Sequence, residues 1–174
     1  MEVMEVNIIE VKKAKRGDAS AFAGLYQQIY EDLYRFALYT LKNKNDAEDV
    51  VSETVVDAFV SIGRLHQAEK FKGWIFRILY NKCKDKLWEY TRKDVELPED
   101  YRELPTEERV EDSAVMRTLF FELGEEERLI ISMHLFAGYT SKEIAKLLGI
   151  NENTVRSKES RALKKLARMV ESQN

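Results

Sequence analysis

The chain has 174 residues, 44% of them hydrophobic, which suffices for one ordinary domain or two small ones. No apolar run approaches the roughly 20 residues that span a bilayer, and the N-terminus lacks the order of a signal peptide, so a cytoplasmic protein without membrane insertion is expected. Cys83 is the only cysteine, which excludes an internal disulfide and a cysteine metal cluster. His66 and His134 are far apart and are predicted to be surface or packing residues, so we expect no metal and no cofactor.

The formal net charge of −3 hides an uneven distribution of charge. Residues 70–93 contain eight basic and two acidic side chains, and residues 150–168 contain six basic and two acidic ones. Between them, residues 94–112 contain nine acidic and two basic side chains. The order basic, acidic, basic indicates two candidate nucleic-acid surfaces that are separated by an acidic connector.

The acidic stretch also divides the chain into domains. It contains both prolines, Pro98 and Pro105, and few large apolar residues, so residues 94–113 are predicted to form an extended or partly disordered linker. Residues 1–93 and 114–174 then form two separate domains. Helical periodicity prevails in both and no convincing strand pattern occurs, which predicts an all-α fold of two small helical domains.

Apolar spacing, capping residues and glycines predict eight helices. They cover about 7–15, 18–42, 45–63, 74–92, 115–123, 125–136, 141–148 and 152–171. Asp18 or Ser20 is expected to cap the second helix, and Asn45 or Asp46 to open the third. The second helix has a broad buried face that includes Phe22, Leu25, Ile29, Leu33 and Phe36. Three glycines are expected to act as C-terminal caps in the second domain: Gly124, Gly138 and Gly149.

The third predicted helix has one apolar face and one acidic face. Five acidic residues and no basic residue lie between Asp46 and Asp57. Like charges at these spacings repel by a few tenths of a kcal/mol per pair, and no lysine in the segment relieves the repulsion. A solvated face and a face that awaits a basic partner are both consistent with this spacing.

The fourth predicted helix combines basic and aromatic residues. Basic groups contact phosphates, and aromatic rings stack on unpaired bases. Trp74 has the helical spacing of a core residue and is expected to be mainly buried, whereas Phe71 and Tyr90 lie near the helix ends and are the predicted stacking residues. No neighbouring acid is expected to neutralise the basic side chains.

The second domain ends in a helix-turn-helix pattern. Ala145 is small where two helices cross, Gly149 lies at a turn that needs a positive φ, and Val155 follows six residues later. The other predicted inward positions are Ile144, Leu148 and Ile150, with Leu163 and Leu166 further along the second helix. The second helix of this motif enters the DNA major groove, so DNA binding is expected.

Four segments together resemble the extracytoplasmic-function (ECF, group IV) class of sigma-70 factors, the promoter-specificity subunits of bacterial RNA polymerase. Residues 17–26 resemble the opening helix of that family, and residues 46–59 resemble its acidic polymerase-docking helix. Residues 71–81, Phe-Lys-Gly-Trp-Ile-Phe-Arg-Ile-Leu-Tyr-Asn, resemble its −10 motif, and residues 138–157 resemble its −35-reading helix-turn-helix. The sequence departs from the family at Gly124, Asn153 and Lys158-Glu159, which bears on the −35 preference rather than on the fold.

The resemblance implies an alternative sigma factor, with a region 2 domain at 1–93 and a region 4 domain at 114–174. The implied partners are core RNA polymerase, through its β′ clamp helices and β flap, promoter DNA, and an anti-sigma factor. The implied polymerase-binding residues are Asp46, Glu48, Asp49, Glu53 and Asp57. The implied −10 residues are Arg64, Lys70, Phe71, Lys72, Trp74, Arg77, Asn81 and Lys84. The implied −35 residues are Asn153, Thr154, Arg156, Ser157, Ser160, Arg161 and Lys164.

In this family the linker runs toward the RNA exit path of the polymerase, and an acidic chain resembles RNA in charge. The resemblance therefore implies the same path for residues 94–113. The alternative is that these residues are only a solvated spacer. No catalysis is expected, because the sequence has no Gly-rich phosphate loop and no evident nucleophile with a base. One alternative function is a free helix-turn-helix regulator in which residues 1–93 sense a signal or dimerise. A third interpretation makes these residues a module that sequesters a protein partner, but the basic and aromatic fourth helix argues against it.

Overall fold

The computed structural model describes residues 5–93 and 111–172. Its α-helices are α1 (Ile8–Lys15), α2 (Ala19–Leu41), α3 (Lys44–Ser61), α4 (Phe71–Arg92), α5 (Glu111–Phe121), α6 (Glu125–Leu135), α7 (Ser141–Leu148) and α8 (Glu152–Ser172). Two short 3-10 turns, Ile62–Arg64 and Ala68–Lys70, connect α3 to α4. These two ranges contain no strand, and the prediction of an all-α, two-domain fold is confirmed. Most of the predicted linker, residues 94–110, lies outside the described residues.

Side-chain caps fix where the first helices begin. Asn7 and Asp18 lie before α1 and α2, and their side-chain oxygens accept hydrogen bonds from backbone N–H groups of the first turn, as predicted for Asp18. The predicted start of α3 at Asn45 or Asp46 is wrong. Lys42 adopts a left-handed conformation (φ 54°), and the extended Asn43 that follows accepts a hydrogen bond from the Asp46 N–H at 3.0 Å. The turn after α2 therefore places the cap at Asn43.

The first domain packs α1, α3 and α4 around the long helix α2. Leu25, Leu33 and Phe36 of α2 are fully buried, and the ring of Phe36 meets that of Phe76 from α4 edge-on at 5.7 Å between ring centres. Each such side chain contributes about 1.5–3 kcal/mol when it leaves water. Cys83 also lies in this core, where burial raises the pKa of its thiol and keeps it protonated.

The second domain packs α5, α6 and α7 against the long helix α8. Ile130 and Met133 of α6 and Val155 of α8 are fully buried. Gly149 has φ 67° and closes α7 as a C-terminal cap, as predicted. The prediction for Gly124 is wrong: its φ of −59° and ψ of 155° place it at the start of α6, where it needs no left-handed backbone.

The two domains also pack against each other, which the sequence did not predict. The contact is made mainly by α2 of the first domain and α6 of the second. Tyr39 at the end of α2 is buried against aromatic rings of the second domain, and Arg128 of α6 reaches back to the Tyr39 carbonyl. None of the described helices has the length and apolar content needed to cross a membrane.

Candidate nucleic-acid interface

The turn between α7 and α8 is rigidly specified. Thr140 and Glu143 form a capping box at the start of α7: the Glu143 N–H donates to the Thr140 hydroxyl at 3.2 Å, and the Thr140 N–H donates to the Glu143 carboxylate at 2.8 Å. At the other end, the N–H groups of Gly149 and Ile150 both donate to the Ala145 carbonyl. This pair of bonds is the glycine-dependent C-terminal motif that turns the chain into α8.

The face of α8 that was predicted to read DNA is open to solvent. Val155, Ala162 and Leu166 point into the domain and are at most 9% exposed. The residues of the predicted −35 set lie on the opposite side, and all of them are exposed: Asn153, Thr154, Arg156, Ser157, Ser160, Arg161 and Lys164. Arg156 is bound to Glu152 one turn earlier at 2.6 Å, whereas the remaining cations of the face extend into solvent.

Two apolar positions of this motif were predicted wrongly. Ile150 is 37% exposed and Leu163 is 48% exposed, although both were expected to face inward. The turn that follows Gly149 directs Ile150 away from the core. Leu163 directly follows the buried Ala162, and adjacent helix positions are about 100° apart, so Leu163 turns toward solvent.

Lys158 and Glu159, which depart from the family pattern, contact their own domain. Lys158 pairs with Glu126 of α6, and Glu159 lies near two groups, the His134 ring (3.6 Å) and the Ser141 hydroxyl (3.4 Å). His134 also contacts the backbone carbonyl of Tyr139 at 3.1 Å, consistent with a surface packing role. The departure at 158–159 therefore strengthens contacts of α8 with α6 and α7 and lies beside the exposed reading face.

A second exposed stripe runs along α4. Its members recur every three or four residues on the side of the helix opposite the core, and we call them the α4 stripe: Lys70, Trp74, Arg77, Asn81 and Lys84. Trp74 is half-buried and leans on the ring of Phe71, while the other four side chains are exposed. Arg64, in the turn after α3, is also exposed.

Three expectations for the ends of α4 need correction. Phe71 is only 1% exposed, because the 3-10 turn before α4 directs its ring into the core, so it is not available for stacking. The hydroxyl of Tyr90 donates a hydrogen bond to Asp46 of α3, and burial, followed by that bond, raises the pKa of Tyr90. Lys72 is directed toward Asp32 of α2 at 3.5 Å and is largely buried.

The acidic face of α3 is partly neutralised by α4, contrary to the expectation that no neighbouring acid neutralises the basic side chains of α4. Lys82 bridges Asp57 at 2.7 Å and Glu53 at 3.5 Å, and its hydrogen bond to Asp57 raises the pKa of the Lys82 ammonium. Lys86 pairs with Asp46 at 3.4 Å, and the Asp46 side chain is only 18% exposed. The carboxylates of Glu53 and Asp57 nevertheless remain more than half exposed, so they are still open to a partner.

Two acidic residues of α3 face solvent without a partner from α4. Asp49 is exposed and pairs with no cation in the described parts of the chain. Glu48 is exposed and lies 4.0 Å from Lys44 on its own helix. Together with Glu53 and Asp57 they form an outward acidic face, which also carries the exposed apolar side chains of Val56 and Val60.

The sequence analysis missed one feature of α4. Trp88 is 61% exposed, and the guanidinium of Arg92 lies over its ring at 4.9 Å from the ring centre. Trp88 follows Lys84 by four residues and therefore extends the α4 stripe by one turn. The spacing from Lys70 to Trp88 was readable in the sequence, but the large number of aromatic residues in this helix obscured it.

These surfaces define a two-domain helical protein with two candidate nucleic-acid faces and a separate acidic face. Residues 25–93 match the family described as Sigma-70 region 2, and residues 115–166 match Sigma-70, region 4. The chain is 30% identical over 138 residues to the RNA polymerase sigma factor SigV of Bacillus subtilis, a match that covers 77% of this chain and 81% of SigV. It is 28% identical over 155 residues to the ECF RNA polymerase sigma factor SigM of Mycobacterium tuberculosis, covering 88% of this chain and 79% of SigM.

Solved structures agree on the fold. A chain in the co-crystal structure of the sigma factor RpoE with the anti-sigma factor NepR from Bartonella quintana has a TM-score of 0.71 and 21% identity, over 88% of this chain and 98% of that one. The protein belongs to the ECF class of the sigma-70 family, and its function as an alternative sigma factor in promoter-specific transcription is confirmed. The alternative of a free helix-turn-helix regulator is not favoured, because it does not account for the region 2 match.

Proposed function

We propose that this sigma factor works through three faces, one for polymerase, one for the −10 element and one for the −35 element. The observation that carries the proposal is the α4 stripe. Its cations and its tryptophan lie on one side of a helix whose opposite side is built into the core by Ile75, Phe76 and Leu79. A DNA strand along that side meets a charged or aromatic group at every helical turn.

The N-terminal end of the stripe is proposed to capture a base of the −10 element. Extrusion of a base from the duplex costs a few kcal/mol, and stacking on an aromatic ring returns about 1–3 kcal/mol per base. Trp74 supplies the half-exposed ring, in place of the buried Phe71. Lys70 lines the same cleft as Trp74 and is proposed to bind a phosphate next to the captured base, and the exposed Arg64 is proposed to bind a phosphate further along the strand.

Further along α4, Arg77 and Lys84 are proposed to bind phosphates. The amide of Asn81, between them, is proposed to hydrogen-bond to a base edge or to the DNA backbone. All three side chains are exposed. Lys72 is proposed to have a positioning role, because its contact with Asp32 fixes the start of α4 on α2 and so orients Trp74. Trp88 and Arg92 continue the surface, with a ring and a cation already in contact.

The exposed face of α8 is proposed to read the −35 element in the major groove. Asn153 and Thr154 lie in the first turn of α8, where free N–H groups and the helix dipole favour a phosphate. Ser157, Ser160, Arg161 and Lys164 follow on the same side and reach toward base edges and the opposite strand. The bond of Arg156 to Glu152 holds its guanidinium close to the helix, which suits a phosphate contact.

The acidic face of α3 is proposed to dock on the basic β′ clamp helices of core polymerase, with region 4 contacting the β flap. Glu48, Asp49, Glu53 and Asp57 are exposed there, whereas Asp46 is held by Lys86 and Tyr90 and contributes to the packing of α3 on α4. Charge complementarity of this kind accelerates encounter and excludes wrong partners.

Reconstitution with core RNA polymerase tests the whole proposal. We expect the purified chain to bind core, and the resulting holoenzyme to initiate RNA synthesis at specific genomic start sites that core alone does not use. The same holoenzyme with Arg77→Ala should retain core binding and lose open-complex formation. If the chain binds duplex promoter DNA tightly by itself and gives no core-dependent initiation, the assignments of the polymerase face and of the −10 face are wrong.

A double charge reversal isolates the docking face. Asp49→Lys with Glu53→Lys should weaken binding to core at least about tenfold, because each change replaces attraction by repulsion. The matched control reverses two exposed acids elsewhere, Glu31→Lys with Glu171→Lys, and should leave core affinity within about twofold of wild type. Equal affinities of the two double variants would contradict the docking assignment.

We also propose regulation by an anti-sigma factor in the cytoplasm. The structural relative RpoE was solved in complex with the anti-sigma factor NepR, which supports a partner of this class. Such a partner would compete with polymerase or with DNA for the faces described above. Co-purification of the chain from its own cells before and after stress, followed by mass spectrometry, would test this; a partner released on induction is the expected result.

A further inference from the structure

Basic side chains are also concentrated at the end of α1, a helix that none of the three proposed faces uses. Residues 12–16, Lys-Lys-Ala-Lys-Arg, contain four basic side chains and no acidic one. Lys15 and Arg16 come three and four residues after Lys12, so these three side chains share one side of the helix. Lys12 and Arg16 are exposed, and Lys15 is partly exposed. We call these three residues the α1 patch.

The cations of the α1 patch have no acidic partner. Within residues 5–93 and 111–172, none of the three pairs with a carboxylate, whereas the neighbouring Lys13 pairs with Glu10 at 2.9 Å. The helix dipole favours cations at this end of α1, but like charges three and four residues apart repel one another. A bound polyanion would relieve that repulsion.

The backbone of α1 is fixed on the first domain, so the α1 patch has a defined position. Val11 and Ala14 are buried on the side of the helix that faces the domain. At the start of α1, the side chain of Asn7 accepts hydrogen bonds from two backbone N–H groups of the first turn. At its end, Gly17 has φ 97° and turns the chain into α2. The α1 patch therefore belongs to the folded domain.

The α1 patch lies beside the turns that lead into α4. Helix α1 packs against both of the 3-10 turns between α3 and α4. A Cβ atom at Gly63, in the first of these turns, would lie 3.9 Å from the carbonyl oxygen of Lys15. Arg64 and Arg16 are the next residues on the two sides, and consecutive Cα atoms are about 3.8 Å apart, so both guanidinium groups begin close to this contact. Arg64 and the α1 patch therefore form one continuous basic surface.

This basic surface continues the α4 stripe beyond its N-terminal end. The second 3-10 turn ends at Lys70, which is the first member of the stripe and lines the same cleft as Trp74. The two turns carry Arg64 and Lys70 against one acidic residue, Glu69. A strand with a base on Trp74 leaves it in two directions. In one direction it follows α4 to Lys84, and in the other it crosses the turns toward α1.

We propose that the α1 patch binds backbone phosphates of the unpaired DNA strand, on the side of Trp74 that is opposite to Lys84. This inference rests on the proposed function of α4. The patch consists of cations without an aromatic ring, so it adds affinity and fixes the position of the strand without reading its sequence. The strand is then held on both sides of the captured base, which keeps that base over Trp74.

The test compares holoenzymes that contain wild type or a patch variant, Lys12→Gln with Arg16→Gln. The probe is a labelled single strand from a start site that the holoenzyme uses, covering the −10 region and its flanks without the −35 element. Each phosphate contact to a single strand contributes about 0.7 to the slope of log affinity against log salt concentration. Loss of two contacts should lower the slope by about 1.4, so between about 50 and 200 mM salt wild type should lose about sevenfold more affinity than the variant.

A matched control removes the same charge elsewhere. Lys142→Gln with Arg168→Gln neutralises two exposed cations of the second domain, neither of which belongs to the proposed −35 set, and should keep the wild-type slope. If the cations of α1 only compensate its helix dipole, the patch variant should instead have a lower melting temperature and an unchanged salt slope. That result would overturn the proposal.

A second measurement varies the DNA and keeps the proteins. The oligonucleotide is lengthened by several nucleotides at its 5′ end or at its 3′ end. Lengthening at one end should strengthen binding to wild type more than to the patch variant, whereas lengthening at the other end should act equally on both proteins. Equal effects of both extensions on both proteins would show that the strand does not reach α1.

Arg77→Ala separates this proposal from the proposed function of α4. If Arg77→Ala weakens strand binding while the patch variant matches wild type, the α4 assignment stands and only the assignment of the α1 patch is wrong. If neither variant alters strand binding, the α4 assignment fails as well.

Discussion

Substitution of Arg128 by methionine removes a buried charged group from the interdomain contact. Arg128 is 3% exposed and donates to two backbone carbonyls, one in each domain. Each buried carbonyl that loses its partner costs about 1–3 kcal/mol. Part of this loss is offset, because methionine does not have to bury a charge; burial lowers the pKa of Arg128, which reflects the same penalty. We expect Arg128→Met to lower the free energy of unfolding by about 2–4 kcal/mol.

Thermal and urea unfolding followed by circular dichroism measure this effect. For a chain of this size, 1 kcal/mol corresponds to about 2–4 °C in melting temperature, so a decrease of about 4–16 °C is expected. Because Arg128 couples the two domains, we also expect one cooperative transition in wild type and two resolved transitions in the variant. Arg128→Lys keeps the charge but lacks the planar guanidinium that reaches both carbonyls. Its free energy of unfolding should therefore lie between those of wild type and Arg128→Met. A loss below about 1 kcal/mol with a single transition would refute this account of the contact.

Three other substitutions probe single features of the structure. Thr140→Val removes the acceptor of the capping box and should cost about 1 kcal/mol of stability in the second domain, visible in its urea midpoint and as weaker −35 binding. Lys82→Ala breaks two exposed ion pairs and should cost less than about 1 kcal/mol, while core polymerase binds at least as tightly because Glu53 and Asp57 are released; weaker core binding would contradict the docking face. Trp88→Ala should weaken −10 DNA binding a few-fold without altering the melting temperature, since the ring is 61% exposed; unchanged DNA affinity would exclude Trp88 from the stripe.

Features that depend on neighbouring residues along the chain could be predicted from the sequence. The exposed face of α8 follows from the 3.6-residue period, because Val155, Ala162 and Leu166 fix which side is buried. Gly149 was predictable for a similar reason, since a helix that turns back on itself within a few residues needs a left-handed residue there. The helical period and the residue types of turns are local properties, and most of the fold could be predicted from them.

Contacts between helices could not be read in the same way. Asp57 and Lys82 are 25 positions apart, and only the packing of α3 on α4 brings the carboxylate within 2.7 Å of the ammonium. Phe71 lies at the first position of α4, where helical spacing does not determine burial; the preceding 3-10 turn decides it by rotating the ring inward. Sequence reasoning assigned a free surface to both cases because it had no information on the neighbouring helix.

The interdomain contact had one signal in the sequence, which was an arginine among apolar residues. Arg128 precedes Leu-Ile-Ile in α6, on a helix whose next turn is buried. A buried guanidinium must find acceptors, and the ends of helices supply unpaired carbonyls. That reasoning indicates a helix C-terminus as the partner of Arg128. It does not reveal that the helix belongs to the other domain.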